Sequence, residues 1–194
     1  MSLNEDDLKD LARLHSACVG DSLVTELGVN YARCFYRYLD RSPLEYVWIR
    51  RDADGKIIAA SVFTLQPHTL GRRLLLHTPL PWYLFLGAFS MVPLAFRLMM
   101  QKAGSREKPP ELDLPEWILL FTTPTQRGGG LGASLIQEME DQLRALGIKK
   151  YQVRTNADPA NKALAFHIKH GAIPCHLSVD RGRLNQVYTK IVPG

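Results

Sequence analysis

The stretch Thr123-Pro124-Thr125-Gln126-Arg127-Gly128-Gly129-Gly130-Leu131-Gly132-Ala133 decides how the chain is read. Before it, Trp117 to Thr122 is a buried-type run of strand length. After it, Leu131 to Leu146 carries Leu135, Met139, Leu143 and Leu146 on one stripe and meets Gly147, which predicts an amphipathic helix with a glycine stop. Glycines between a strand and a helix let the backbone approach a ligand where a Cβ would forbid it. Their N–H groups then converge at the positive end of the helix, a ready anion site that suits a pyrophosphate. A P-loop is excluded, because no Lys-Ser or Lys-Thr follows the glycines. A dinucleotide fingerprint is met only loosely, by Gly128, Gly130 and Ala133, and the next strand ends in Arg154-Thr155 instead of an acidic residue. The roughly 60 residues that follow are too few for a full dinucleotide fold. From the loop alone, a glycine turn without a ligand stays open.

Downstream, Tyr151 to Thr155 predicts a strand. Asp158-Pro159 predicts a helix start, with Asp158 as N-cap and the helix ending at Gly171. Ile173 to Val179 and Gln186 to Val192 predict a closing hairpin around Asp180-Arg181-Gly182. Upstream, Leu8, Leu11, Leu14, Val24, Leu27, Tyr31, Cys34 and Phe35 recur at threes and fours, so Asp6 to about Asp40 reads as helical, broken near Gly20 and Gly28. Tyr46 to Ile49 and Ile57 to Phe63 flank Asp52-Ala53-Asp54-Gly55, a hairpin signal. Strands alternating with helices over short links give an α/β (α+β) pattern, read as one domain over residues 1–194.

One segment departs from this pattern. Leu74 to Met100 is nearly all apolar, with Arg97 inside it and Arg72-Arg73 just before. Pro79, Pro81 and Pro93 interrupt it, which argues against a transmembrane helix. The preferred reading is a helical insertion, spanning about 65–115 with its loop, that covers an acceptor pocket or is buried in a homodimer. A peripheral helix touching lipid, flanked by Arg97, Lys102, Arg106 and Lys108, is the other.

Composition narrows the ligand class. Hydrophobic residues make up 46% and charged residues 22%, as in a folded globular protein. The net charge of +5 and pI of about 9.2 suit an anionic small ligand. No basic block, zinc-finger spacing or RNA-binding glycine-aromatic motif points to nucleic acid. Cys18, Cys34 and Cys175 are scattered, and with the histidines they form no metal-ligand set. Reduced thiols and an N-terminus without a basic or apolar leader lead to the expectation of a cytoplasmic protein, with Cys175 a buried thiol.

Arg127-Gly128-Gly129-Gly130-Leu131-Gly132 resembles the R-x-x-G-x-G acyl-CoA signature of the GNAT N-acetyltransferase superfamily. Asn161-Lys162-Ala163-Leu164-Ala165-Phe166-His167-Ile168-Lys169-His170-Gly171-Ala172 is similar to its second motif, in order and at suitable spacing. The resemblance spans most of the chain outside the apolar insertion. It implies a GNAT-like acyltransferase fold, a mixed central sheet with splayed central strands flanked by helices. It also implies an N-acyltransferase moving an acetyl or other acyl group from acyl-CoA to a small-molecule primary amine by direct attack.

Carried onto this sequence, the resemblance implies that main-chain amides of Arg127, Gly128, Gly129, Gly130, Leu131 and Gly132, with Ala133 at the helix start, hold the CoA pyrophosphate. Leu120, Phe121 and Thr122 would pair with the pantetheine arm, Asn161 would contact that arm or orient a nearby group, and Phe166 would be a further cofactor-binding residue. Glu116, where the family often has an acidic residue, is the candidate general base. His167 stands where the family has a tyrosine as thiolate acid; the alternative is a helix histidine facing solvent or the adenine side. The Asn-to-Gly spacing is one residue shorter than in the family, and Ala172 replaces a phenylalanine. A catalytically silent acyl-CoA sensor or scaffold is the rival reading, with or without contact to a membrane surface.

Overall fold

The computed structural model describes residues 3–20, 22–82, 114–180 and 183–193. The apolar run beyond Trp82, with most of the loop after it, and the hairpin tip at 181–182 lie outside the described residues. Three helices open the chain: α1 (Glu5–Cys18), α2 (Leu23–Glu26) and α3 (Val29–Arg41). Asn4 caps α1 in a reciprocal box with Asp7, and Ser22 caps α2, so their first N–H groups are satisfied by side chains. The hairpin of β1 (Glu45–Arg51) and β2 (Ile57–Thr64) follows, turning through Gly55 at φ 80°, which favours glycine. A helix α4 (Pro67–His77) begins the insertion.

The second half runs β3 (Glu116–Thr122), a short 3₁₀ turn (Pro124–Gln126), α5 (Leu131–Ala145), β4 (Lys150–Asn156), α6 (Lys162–Lys169), β5 (Ile173–Asp180) and β6 (Arg183–Ile191). Both α5 and α6 stop where glycine was expected. Ile148 N–H donates to Leu143 O and Ala172 N–H to His167 O, while Gly147 and Gly171 hold positive φ, which is the Schellman arrangement. The start of α6 differs from expectation. Its N-cap is Asn161, which accepts from Ala163 N–H at 3.1 Å. Asp158 instead closes the preceding turn by accepting from Ala160 N–H at 2.9 Å.

The six strands form one mixed sheet in the order β1-β2-β3-β4-β6-β5, antiparallel throughout except for the parallel pair β3–β4. On one face, Leu8, Leu11, Tyr31, Phe35 and Leu39 of α1 and α3 bury Val62 and Phe121. On the other, Ile136, Met139 and Leu143 of α5 bury Phe63, Trp117, Tyr151 and Val153. Burying a large apolar side chain contributes about 1.5–3 kcal/mol, so these two layers dominate the fold's stability. The seam between them is β3–β4. Its pairing is confined to Glu116↔Gln152 and Trp117↔Val153, and beyond those rungs the two strands diverge. A register shift between Val62 and Phe63 marks a bulge in the β2–β3 pairing at the same level, and bulges bend and twist a strand locally. The expected splay of central strands is present.

Candidate active site: a cleft between β3 and β4

The divergence of β3 from β4 opens a cleft of about 960 Å³ that runs from the glycine loop to Trp117. The loop is exposed to solvent from Pro124 to Gly130. Gly128 at φ 86° and Gly130 at φ 82° occupy the left-handed region, where a side chain would strain the backbone. Gly130 is the N-cap of α5 and supplies no side-chain cap, and the first turn of α5 contains no acidic residue. The N–H groups of Leu131, Gly132 and Ala133 therefore have no intrahelical acceptor and face the mouth of the cleft. Gly132 has a separate reason to be glycine. A Cβ there would lie 3.2 Å from Phe166 Cζ and 3.5 Å from Leu120 Cδ2, so α5 approaches α6 and β3 only without one.

Charge in the cleft is one-sided. Arg127, Arg154, Lys162 and Lys169 line it, and no Asp or Glu does among the described residues. Such an array suits a polyanionic ligand. Among the described residues no group of three or more metal-ligating side chains gathers anywhere, and none of the helices is long and apolar enough to cross a membrane.

Twelve of the fourteen residues singled out from the sequence line this cleft: Leu120, Phe121, Thr122, Arg127, Gly128, Gly130, Leu131, Gly132, Ala133, Asn161, Phe166 and His167. Gly129 lies in the loop but is not among the lining residues. Asn161 is heavily engaged already, since its Nδ2 donates to Asn156 O at 2.7 Å and Thr155 Oγ1 at 3.1 Å. Three-dimensional folding adds residues that the motifs did not name. Cys18 and Val19, from the end of α1, reach the cleft across more than a hundred residues of chain. The Cys18 thiol donates to Thr122 O at 3.4 Å, and burial pushes its pKa up. Nothing in the local sequence around Cys18 marks it.

The two residues expected to move protons sit differently from expectation. Glu116 is buried and absent from the cleft lining. Its Oε2 accepts from Arg154 at 2.8 Å and from Gln152 Nε2 at 2.9 Å. The guanidinium and the amide hold the carboxylate against β4 and turn it away from the cleft lining. His167 lines the cleft yet is buried against Trp117 and Tyr188, with ring centroids 5.6 and 5.5 Å away. Burial is the largest cause that lowers its pKa to about 4, helped by His170 and Lys190. At neutral pH it is a neutral imidazole with no readily given proton. Cys175, expected to be buried, is exposed on β5 with its sulfur 3.2 Å from Thr189 Oγ1. The bulge between Pro174 and His176 lies at that edge.

Residues 94–172 match the family model described as the acetyltransferase (GNAT) family. That match takes in β3, the glycine loop, α5, β4 and α6, 79 of the 194 residues. Solved acetyltransferase structures share the chain's fold across nearly the whole length. An N-acetyltransferase from Staphylococcus aureus Mu50 aligns with TM-score 0.61 and 11% identity, over 100% of this chain and 97% of that one. A ribosomal-protein-alanine N-acetyltransferase from Brucella melitensis gives 0.61 and 15%, over 98% of each. The ribosomal-protein-S18-alanine N-acetyltransferase from Escherichia coli gives 0.58 and 12%, over 99% of this chain and 92% of that one. No curated protein matches the chain in sequence.

Proposed function

We propose that this protein is a GNAT acyltransferase that takes an acetyl or other acyl group from acyl-CoA and delivers it to a small-molecule primary amine. The observation that carries the reading is the conjunction of an uncapped helix start behind Gly128–Gly130 with a sheet that opens beside it. The pyrophosphate would accept from main-chain N–H groups of the loop and the first turn of α5, where the helix dipole adds a favourable charge. The pantetheine amides would pair with β3 at Leu120 to Thr122, in the place that β4 leaves vacant. Arg127 at the loop and Lys162 at the start of α6 supply cations for the anionic end of the cosubstrate.

When bound, the thioester supplies an activated acyl carbon and a good leaving group. The protein's task is then to align the amine lone pair with that carbon, exclude water, and offer a main-chain N–H of β3 to the developing oxyanion. The new C–N bond forms as the C–S bond breaks, and the proton lost by the nitrogen balances the thiolate. No carboxylate lines the cleft among the described residues. The amine attacks as the free base, the form that the cations Arg127, Arg154, Lys162 and Lys169 of the cleft favour.

One observation favours a second reading. Glu116 is engaged and His167 is neutral and packed, so both expected acid–base groups are committed to structure. A protein that binds acyl-CoA without turning it over, as a sensor or scaffold, has the same cleft. A thermal-shift screen with CoA, acetyl-CoA, longer acyl-CoAs and NAD tests the shared claim, because a ligand of the native state raises apparent stability by mass action. Stabilisation by NAD and none by CoA would refute it. Free-thiol release from acetyl-CoA across an amine panel separates the enzyme from the silent binder.

A further inference from the structure

The β3–β4 seam is joined by only two rungs of backbone pairing, Glu116↔Gln152 and Trp117↔Val153, yet it unites the β1-β2-β3 half of the sheet with the β4-β6-β5 half. At those rungs a side-chain cluster stands in for the missing ladder. Arg154, the first residue of β4 beyond the paired region, reaches back diagonally to Glu116 Oε2 at 2.8 Å. Gln152 donates to the same oxygen at 2.9 Å, and its backbone N–H donates to Pro115 O at 2.8 Å. Glu116 and Gln152 are both buried, and Arg154 is the member that lines the cleft.

We infer that Glu116 and Arg154 form a clamp that fixes the closed end of the splay, and that Arg154 is a positioning residue for the cosubstrate. Below the clamp the strands are held together; above it they are free to part. The place where parting begins sets how far the acyl end penetrates and which β3 amides meet it. Assigning Glu116 this role accounts for its burial, for its absence from the cleft lining, and for its ion pair with Arg154. The inference rests on the acyl-CoA reading above.

The test measures CoA affinity calorimetrically for wild type, Glu116→Gln, Arg154→Gln, Arg154→Lys and the Glu116→Gln/Arg154→Gln double variant. Melting temperatures of the CoA-free proteins are recorded alongside. A clamp weakens CoA binding in each single Gln variant by roughly 10-fold, the scale of coupling within one hydrogen-bonded network. It also makes the double variant no worse than about the worse single, with Arg154→Lys between wild type and Arg154→Gln. Arg51→Gln is the control, since it breaks another partly buried pair, with Asp7 between α1 and β1, away from the seam. It lowers the melting temperature and leaves CoA affinity unchanged. Wild-type CoA affinity in Glu116→Gln overturns the clamp, and so does a loss in Arg51→Gln equal to that in Arg154→Gln, which would make the effect one of general stability. Should Glu116→Gln fail to fold, Arg154→Lys and Arg154→Gln decide by the same criterion. Failure of wild type itself to bind CoA refutes the acyl-CoA reading and is recognisable as such.

Discussion

Replacing Gly132 with alanine sets two effects of known sign against each other. The position lies in the first turn of α5 with no positive φ, so the backbone accepts a side chain, and helix propensity favours alanine by up to about 1 kcal/mol. Against this, the new methyl would stand 3.2 Å from Phe166 Cζ, 3.3 Å from Phe166 Cε2 and 3.5 Å from Leu120 Cδ2. Those contacts require the ring to shift by a few tenths of an ångström, and overpacking of this kind costs about 1–3 kcal/mol. The net expectation is a loss of about 0–2 kcal/mol, which for a chain of this size is a fall of up to about 8 °C in melting temperature. Gly132→Val adds two further carbons at the same point and loses the propensity gain, so its loss should reach about 3 kcal/mol. Phe166→Leu shortens the obstructing ring, and Gly132→Ala combined with it should be more stable than the two separate effects predict, by roughly 0.5–1 kcal/mol. Urea titration of the four proteins gives the comparison directly. A rise in stability for Gly132→Ala alone, together with strict additivity of the pair, would refute the close approach of α5 to α6.

Four other outcomes follow from the same geometry. His15 and His167 have pKa values lowered by burial from 6.5 to about 4, so the unfolded chain binds more protons between those values; stability is full above pH 6.5 and falls toward pH 4, by at most about 3 kcal/mol per histidine. His167→Phe should shrink that fall when melting is followed from pH 4 to 7, and an unchanged slope would contradict a neutral buried ring. Glu140 accepts from Tyr151 Oη at 2.7 Å and pairs with Lys190 in the interior, so Glu140→Gln should cost about 3–5 kcal/mol by denaturation while CoA affinity stays put. For any amine that the protein acylates, kcat/KM should climb about 10-fold per pH unit below the amine's own pKa, because only the free base attacks the acyl carbon and Arg127, Arg154, Lys162 and Lys169 in the cleft disfavour a protonated amine; a plateau starting near pH 6 would reveal a base. Cys175 should alkylate fast and independently of CoA, whereas Cys18 should react slowly and more slowly still with CoA present, as peptide mass mapping would report.

Much of this architecture was legible because local chemistry and tertiary packing agree. The stripe Leu135, Met139, Leu143 and the stops at Gly147 and Gly171 fix α5 and the end of α6 by periodicity and backbone freedom alone. The loop was legible because two left-handed residues and a close helix approach can be met only by glycine. The start of α6 was misplaced because Asp158 and Asn161 are both good cap residues. Asn161 takes the cap while also tying down Thr155 and Asn156, a competition that sequence does not rank. The engagement of Glu116, read as a candidate general base, was not legible because its partners, Gln152 and Arg154, arrive from a strand 36 and 38 residues away. Cys175 escaped burial because β5 is an edge strand with a bulge, and edge position follows from strand order, which local sequence does not encode.

An opening in the middle of a sheet is costly by itself. Beyond Trp117 the main-chain groups of β3 that face β4 have no strand partner, and each unmade hydrogen bond in a partly dry cleft forgoes about 1 kcal/mol of net stabilisation. Closing the gap would recover that energy, so something must oppose closure. Here the bulge between Val62 and Phe63 redirects β3, and the Arg154–Glu116 pair anchors the strands just below the point of divergence. A ligand bearing amides in an extended arm can complete the interrupted ladder, while its anionic end meets the uncapped first turn of α5. Binding and sheet completion are then the same event, and most of the affinity should lie along the arm and pyrophosphate, not at the acyl group. CoA and acetyl-CoA should accordingly bind within a few-fold of each other, whereas pantetheine, which lacks the pyrophosphate, should bind at least about 100-fold more weakly, given that hydrogen bonds to charged groups contribute about 1.5–3 kcal/mol each. Equal affinity for pantetheine and CoA would place the recognition elsewhere and undo the role assigned to the glycine loop.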